Sequence, residues 1–222
     1  MKITIHENIR EIMPNCRLGY AFIDEASVKG SSPKLSQEFH QLQHEVAAAY
    51  KIELLPSIPR IAAVRSMYKK MAFDPTRYRP ASEALVRRVL NSKGLYYINS
   101  AVDVNNYCSL KFLMPFGLYD AEQIDGDIDY VLAEAGSYVN IGGKVHYTDH
   151  KPFLRDRQGV FGNPTSDAGR TAVTLQTKQL LSIIYVDEEV SDQEIEDIID
   201  FTTEMFVRYN GGVVRKRGII FA

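Results

Sequence analysis

The chain has 222 residues, of which 45% are hydrophobic and 24% are charged. A chain of this length is expected to form one domain and to bury about 70% of its unfolded surface. Its 26 basic and 28 acidic residues leave a formal net charge of −2. This balance excludes a uniformly basic surface that would hold nucleic acid without specificity, and the composition excludes collagen, coiled coil and extensive disorder.

The two cysteines, Cys16 and Cys108, form no CxxC motif and are too few for a disulfide framework. We therefore expect reduced, buried thiols and a cytoplasmic location. The N-terminus lacks the apolar stretch of a signal peptide, and no apolar run approaches the length of a transmembrane helix. The sequence thus predicts a protein without membrane partners.

The first half of the chain predicts two short strands followed by three helices. Alternation of apolar and polar residues predicts short strands at residues 3–5 and 17–23. Ser32 followed by Pro33 is typical of a helix start, and apolar residues at three-to-four spacing continue from there. Three helices are predicted in this half, over residues 32–50, 61–71 and 80–90.

The second half is rich in glycine and predicts mainly strands. Gly142-Gly143 is typical of a two-residue turn that joins strands at 137–141 and 144–147. Further strands are predicted at 128–132, 180–186 and 213–221, and a capping box at 191–194 opens a helix that ends at Gly211. The chain thus contains helices, followed by a β-rich middle and a βαβ-like end. This order predicts an α+β fold in one compact unit.

Charge is distributed unevenly along the chain. Residues 60–93 contain nine basic and two acidic residues, whereas residues 120–140 and 187–200 are strongly acidic. One interpretation of the basic block is a surface that faces a polyanion, with Tyr68 and Tyr78 available for stacking. The other is a pair of solvated helix faces that the acidic blocks neutralise. Under the first interpretation the phosphate contacts come from Arg65, Lys69, Arg77 and Arg79.

Standard catalytic motifs are missing, since the chain has no GxSxG, no HExxH and no P-loop. His146, Asp149 and His150 resemble a fragment of a metal site, but three ligands would have to converge through a turn. Surface polar groups are the simpler interpretation of these residues. We therefore expect no metal ion and no cofactor.

Four polar side chains, those of Asn99, Asp103, Asn105 and Asn106, lie between two apolar segments. Asn and Asp often hold turns and accept backbone hydrogen bonds, but this cluster is too dense for a single turn. Two interpretations remain open. The cluster is either the polar floor of a pocket or an Asx-rich crossover with a structural role.

An ordered set of motifs around this cluster resembles the B3/B4 domain of the bacterial phenylalanyl-tRNA synthetase β subunit. The set begins with N-x-x-V-D-x-x-N-Y over 99–107 and continues with Pro115, Asp120 and Ile124-x-Gly126. The upstream R-Y-R-P motif at 77–80 and the downstream R-T-x-x-T-x-x-T motif at 170–177 resemble free-standing bacterial proteins built on this domain. The resemblance covers roughly residues 55–190.

The resemblance implies a three-layer α+β domain with an unusual β-sandwich flanked by helices. It implies a single domain over residues 1–222, in which residues 1–55 form an N-terminal extension of strands and a helix. In the synthetase this domain is the editing module, which hydrolyses tyrosine mischarged onto the phenylalanine tRNA. The expected function is therefore to bind the aminoacylated 3′ end of a tRNA and to hydrolyse mischarged aminoacyl-tRNA. A complete aminoacyl-tRNA ligase is not expected, because the chain has no candidate ATP site.

The resemblance also implies the site residues. Asn106 matches a pocket asparagine, Asn105 replaces a pocket threonine, and Gly117 stands where the synthetase has a histidine. The family glutamate that reads the tyrosine hydroxyl is absent from the loop at 161–169, where Asn163 or Asp167 would substitute for it. The implied substrate site consists of Asn99, Asp103, Asn105, Asn106, Gly117, Asn163, Ser166 and Asp167.

Two functions remain open from the sequence. A deacylase needs a positioned water and a polarised carbonyl, which backbone N–H groups of the loop at 161–169 would supply. The missing histidine and glutamate instead favour a non-catalytic protein that binds an amino acid or a small metabolite, because their loss removes hydrogen bonds that select the substrate. The expected partners are aminoacyl-tRNA or a free amino acid, not DNA, and the oligomeric state is left open.

Overall fold

The computed structural model describes all 222 residues, which form six helices, ten strands and three short 3₁₀ turns. The helices are α1 (Glu7–Arg10), α2 (Pro33–Ala49), α3 (Pro59–Lys70), α4 (Ala81–Leu90), α5 (Ser100–Phe112) and α6 (Asp192–Asn210). The strands are β1 (Ile3–Ile5), β2 (Arg17–Asp24), β3 (Phe116–Asp120), β4 (Ile128–Leu132), β5 (Ser137–Val139), β6 (Val145–Tyr147), β7 (Pro152–Asp156), β8 (Gly159–Gly162), β9 (Leu180–Val186) and β10 (Val213–Phe221).

Eight of the strands form two four-stranded sheets, with the orders β10–β2–β9–β3 and β1–β4–β7–β8. In the first sheet β2 runs antiparallel to both β9 and β10. Strands β9 and β10 are therefore parallel to each other, and α6 connects them, which confirms the predicted βαβ-like end. Strands β5 and β6 form the predicted hairpin as a separate sheet, but the prediction of a two-residue turn was wrong. The Asn140 N–H bonds to the Lys144 carbonyl, so the loop contains three residues, 141–143.

The two sheets enclose one core, and the helices cover a second. The first core lies between the sheets and contains Tyr119 and Tyr185 from one sheet and Tyr130 and Phe161 from the other. The second core lies on the opposite face of the β10–β2–β9–β3 sheet, against α5 and α6. The predicted α+β class is confirmed, with two stacked sheets and a helical layer. None of the six helices combines the length and apolar composition that crossing a bilayer requires.

The predicted helix caps are confirmed in two places. The Ser32 hydroxyl accepts a hydrogen bond from the Leu35 N–H at 3.2 Å, and the Ser191 hydroxyl accepts one from the Glu194 N–H at 3.2 Å. Each bond satisfies a backbone donor that the first turn of a helix leaves unpaired.

The polar cluster at residues 99–107 lies largely in a helix, which the sequence did not predict, so the interpretation of the cluster as an Asx-rich crossover was wrong. Asn99 caps α5, and its side-chain oxygen accepts from the N–H groups of Ala101 and Val102 at 3.1 and 2.9 Å. Asn, Asp and Ser are weak helix formers. Packing of the buried α5 face on the second core overrides this weak propensity.

Residues 1–55 contribute one strand to each of the two four-stranded sheets, β1 at the edge of one and β2 in the interior of the other. Strand β1 pairs with β4 in parallel, and β2 lies between β10 and β9. Helix α2 contacts α5 and α4. We therefore propose that the whole chain, 1–222, is one domain in which the 1–55 extension is an integral part.

Two glycines make room for one buried hydroxyl. An added Cβ at Gly117 would lie 2.1 Å from the Tyr119 Oη, and one at Gly162 would lie 2.5 Å from the same atom. Neither strand can therefore carry a side chain at these positions without displacing Tyr119. No histidine side chain fits at position 117 in this arrangement.

Gly117→Ala is expected to lower the free energy of unfolding by about 2 kcal/mol, because overpacking forces the Tyr119 ring out of its position. Urea denaturation of both proteins measures the change. Gly30→Ala is the matched control, since an added Cβ there meets nothing within 4 Å. Equal losses in the two variants would show that Tyr119 has room to move.

Candidate functional site

A cleft of about 380 Å³ opens beside the β5–β6 hairpin. Its lining comes from three parts of the chain: the segment after α3, the β5–β7 region and the loop after β8. Most of the side chains are aromatic or polar. They are Phe73, Arg77, Tyr78, Tyr138, Val145, His146, Tyr147, Lys151, Phe153, Asn163, Thr165 and Ser166.

The cleft carries positive charge without a neighbouring carboxylate in its lining. The Arg77 guanidinium carbon lies 5.2 Å from the centroid of the Tyr78 ring, and the Lys151 Nζ lies 4.6 Å from it. Four other surface clefts, of about 420 to 560 Å³, each include at least one Asp or Glu in their lining. The cleft beside the hairpin is thus suited to an anionic ligand.

The Tyr78 ring belongs to a stack that extends from the core. The centroids of Tyr68 and Phe73 lie 4.9 Å apart, and those of Phe73 and Tyr78 lie 4.7 Å apart, with interplanar angles of 18° and 20°. Tyr68 itself is fully buried and its hydroxyl donates to the Pro164 carbonyl at 2.9 Å. The expectation that Tyr68 is available for stacking with a ligand was therefore wrong, because it lies on the buried face of α3.

One wall of the cleft is the loop that follows β8, and Asn163 holds its shape. The Asn163 Oδ1 accepts from the N–H groups of Thr165 and Ser166 at 2.9 and 3.2 Å, and its Nδ2 donates to the Pro152 carbonyl at 2.6 Å. The Asn163 N–H donates to Asp167 Oδ1 at 2.9 Å. These three loop N–H groups already have partners, so they do not supply free donors for a substrate carbonyl.

Asp167 joins this loop to the core between the sheets. Its Oδ1 accepts from the Tyr119 hydroxyl at 2.9 Å, and the Tyr119 and Tyr185 hydroxyls lie 2.9 Å apart. Burial raises the pKa of the Asp167 carboxyl to about 7, although the hydrogen bonds from Asn163 and Tyr119 favour the charged form. Asp167 does not line the cleft itself.

The implied site residues on α5 lie in a different place. Asp103 is buried and accepts from the Ser31 hydroxyl and from the Ile98 N–H, and burial raises the pKa of its carboxyl. The Asn105 Nδ2 donates to the Phe116 carbonyl at 3.5 Å, while its Oδ1 is buried without a partner. Asn106 is partly exposed on the same helix.

The β10–β2–β9–β3 sheet lies between the two cores and is called the central sheet here. It separates the implied substrate residues into two groups. Helix α5, with Asn99, Asp103, Asn105 and Asn106, packs on the helical side of the β10–β2–β9–β3 sheet. The loop at 163–167 and the Tyr119 hydroxyl beside Gly117 lie on the other side. The structure brings Asn163 and Ser166 into the cleft, but it does not bring the α5 residues there.

Three of the arginines in the basic block surround one buried carboxylate. Glu83 is 1% exposed and accepts from Arg65 Nη1 at 2.9 Å and from Arg87 Nε at 2.8 Å. The Arg79 Nε lies 3.8 Å from the same carboxylate. Of the four residues expected to contact phosphates, Arg65 and Arg79 thus pair with Glu83, Lys69 is exposed and Arg77 lines the cleft.

Other basic residues of the block pair with the acidic block at 187–200. Arg60 contacts Asp187 at 2.9 Å and Glu194 at 2.6 Å, and Lys70 contacts Glu188. The acidic block therefore neutralises the positive charge of Arg60 and Lys70, as the second interpretation of the basic block predicts. Arg77 is the residue of the block that lines the cleft, where no carboxylate pairs with it.

The sequence interpretation missed two residues that shape the cleft. Tyr138 donates to the Ser166 carbonyl at 2.7 Å, and Lys151 donates to the Tyr147 carbonyl at 2.5 Å. Only their position next to the predicted hairpin could have indicated a role. His146 lines the cleft, whereas the side chains of Asp149 and His150 are 65% and 85% exposed.

The B3/4 domain family model matches residues 63–217, which is more than half of the chain. The chain belongs to the B3/4 domain family. This confirms the resemblance stated from the sequence motifs.

Two other similarities accompany the family match. The "Uncharacterized protein YhzB" of Bacillus subtilis (strain 168) is 23% identical over 114 residues, which cover 51% of this chain and 49% of that protein. The crystal structure of an N-terminal fragment of the phenylalanyl-tRNA synthetase β subunit from Pyrococcus horikoshii matches 99% of this chain and 50% of the fragment, with a TM-score of 0.46 and 12% identity. This B3/4 domain protein spans about half the length of each.

The contribution of Asp167 to the stability of this B3/4 domain protein is expected to fall as pH rises from about 4 to about 7, because folded Asp167 keeps a proton that the unfolded chain releases. Asp167→Asn removes this titration and retains an oxygen that accepts from Tyr119. Between about pH 5 and about pH 8, we expect the free energy of unfolding of the wild type to fall by about 2 kcal/mol relative to that of the variant.

Urea denaturation at several pH values checks this expectation. Asp197→Asn, at an exposed position on α6, is the control that should follow the wild-type profile. Parallel profiles for wild type and Asp167→Asn would contradict the assignment.

Proposed function

We propose that this chain binds the aminoacylated 3′ end of a tRNA in the cleft beside the β5–β6 hairpin and hydrolyses mischarged aminoacyl-tRNA. The observation that carries the proposal is a cleft with two cations, several aromatic rings and no carboxylate in its lining. Single-stranded RNA presents phosphates to cations and bases to aromatic rings. Membership of the B3/4 domain family supports the same function.

The proposed binding roles follow from the geometry of the cleft. Arg77 and Lys151 contact phosphates of the 3′ end, since both side chains reach the Tyr78 ring from within the lining. The aromatic stack behind Tyr78 fixes the orientation of its ring, so the site is formed before the RNA arrives. Such pre-organisation lowers the entropy that binding must overcome.

Hydrolysis requires a water to attack the ester carbonyl, which breaks the bond to the ribose oxygen and releases the free amino acid. His146 is the lining side chain suited to accept the proton of that water and to return it to the leaving ribose oxygen. Asn163 contributes by holding the loop wall in place.

The alternative is a protein that binds a free amino acid or a small metabolite in the same cleft without catalysis. The absence of a side chain at Gly117 and of a glutamate in the loop at 161–169 favours it. The volume of about 380 Å³ accommodates an amino acid as well as an aminoacylated ribose. Salt-dependent affinity for tRNA separates the two functions.

Arg77→Ala and Lys151→Ala are each expected to weaken binding of aminoacyl-tRNA about tenfold and to reduce the slope of log K against log salt by about one. Fluorescence anisotropy across a salt series measures both quantities. Lys34→Ala is the matched control, because Lys34 is an exposed cation on α2 outside this cleft. Equal weakening by all three substitutions would mean that the cleft is not the RNA site.

A panel of mischarged tRNAs tests the hydrolytic part of the proposal. Wild type is expected to deacylate at least one member, and His146→Ala is expected to lose about a hundredfold in rate, as removal of a general base does. Asn106→Ala and Asp103→Ala test the roles implied for α5 by the sequence resemblance. No deacylation of any member, together with binding of a free amino acid, would establish the alternative.

A further inference from the structure

Strand β6 has a free edge with unpaired main-chain groups. The Asn140 N–H bonds to the Lys144 carbonyl, and the Thr148 N–H bonds to the Gly136 carbonyl. Bonded and non-bonded pairs alternate along an antiparallel ladder, so the pairs that include Val145 and Tyr147 are the non-bonded ones. The N–H and C=O groups of Val145 and Tyr147 therefore point away from β5.

This free edge faces the cleft. The Tyr147 carbonyl accepts from the Lys151 Nζ at 2.5 Å, and Lys151, Val145 and Tyr147 all line the cleft. Both Val145 and Tyr147 are more than half exposed, which leaves their main chain accessible. The Val145 carbonyl and the Tyr147 N–H are thus an acceptor and a donor that remain available at the cleft.

An acceptor and a donor two residues apart on a strand edge match one extended amino-acid residue. In a parallel ladder, a residue donates its N–H to the carbonyl of the residue that precedes its partner on the neighbouring strand. Its own C=O accepts from the N–H of the residue that follows that partner. With His146 as the partner, these two groups are the Val145 carbonyl and the Tyr147 N–H. The loop N–H groups at positions 163, 165 and 166 are already paired, so this edge is the backbone surface that the cleft can still offer.

We propose that the β6 edge recognises the amino-acid moiety of the ligand, with the α-ammonium donating to the Val145 carbonyl and the ester carbonyl accepting from the Tyr147 N–H. This inference rests on the proposed function and assigns the main-chain groups that distinguish a free α-amino group from a blocked one. The Tyr147 N–H polarises the carbonyl that the water attacks. An N-blocked or peptidyl ester loses the charge-assisted bond to Val145.

The test uses a tRNA that ends in 3′-amino-3′-deoxyadenosine and carries L-phenylalanine as a stable amide, with its α-amino group free or acetylated. The free amine is expected to bind about tenfold to a hundredfold more tightly than the acetylated form, as loss of a hydrogen bond from a charged donor implies. Calorimetric titration of wild type measures both dissociation constants. Equal affinities would overturn the inference while leaving RNA binding in the cleft intact.

A matched pair of variants isolates the Tyr147 N–H. Tyr147→Ala removes the ring and retains the N–H, whereas Tyr147→Pro removes both without breaking a ladder bond. Tyr147→Pro is expected to bind the free-amine RNA about tenfold more weakly than Tyr147→Ala does. Equal affinities of the two variants would overturn the role of this N–H.

Val139→Pro controls for proline in the hairpin, because it occupies the corresponding non-bonded position on β5 and lies outside the cleft lining. It should bind like wild type. If Tyr147→Pro melts at a lower temperature than Val139→Pro, the variants are set aside. The affinities of wild type for the RNA with a free α-amino group and for the RNA with an acetylated one then test the inference. Failure of wild type to bind tRNA at all would overturn the proposed function and this inference together.

Discussion

The hydrogen bond between Tyr119 and Asp167 connects the two parts of this molecule on which the cleft depends. Tyr119 stands on the central sheet, in the space that Gly117 and Gly162 leave open, and Asp167 closes the loop that Asn163 shapes. A buried carboxyl is costly unless it is protonated or well bonded. The raised pKa of Asp167 therefore follows from the same burial that holds the loop against the sandwich.

Electrostatic pairing then decides which part of the surface remains available to an anion. Glu83 engages Arg65, Arg79 and Arg87, and the acidic segment at 187–200 engages Arg60 and Lys70. These pairs join helices and loops to one another and leave their charges compensated. Arg77 and Lys151 remain beside the Tyr78 ring, in a cleft whose lining contains no carboxylate to compensate their charge.

The cleft combines three kinds of recognition that act at different distances. Cations attract a polyanion over a Debye length of about 8 Å, aromatic rings act only in contact, and the free edge of β6 requires hydrogen-bond distance. In the proposed function the RNA is attracted by the cations, and the amino-acid moiety is read by the main chain of Val145 and Tyr147. Main-chain recognition does not depend on the side chain of the bound amino acid. Selection among amino acids therefore depends on the side chains that line the cleft.

Local sequence signals were enough to predict several elements of the fold. The caps at Ser32 and Ser191 and the family motifs required only neighbouring residues to be recognised. Tertiary structure decided that residues 100–112 form a helix, because packing overrode the weak helix propensity of Asn and Asp. It also decided that the central sheet separates Asn106 from Asn163 and that Arg65 pairs with Glu83. Contacts between distant residues depend on how the sheets stack, and no local pattern encodes that arrangement.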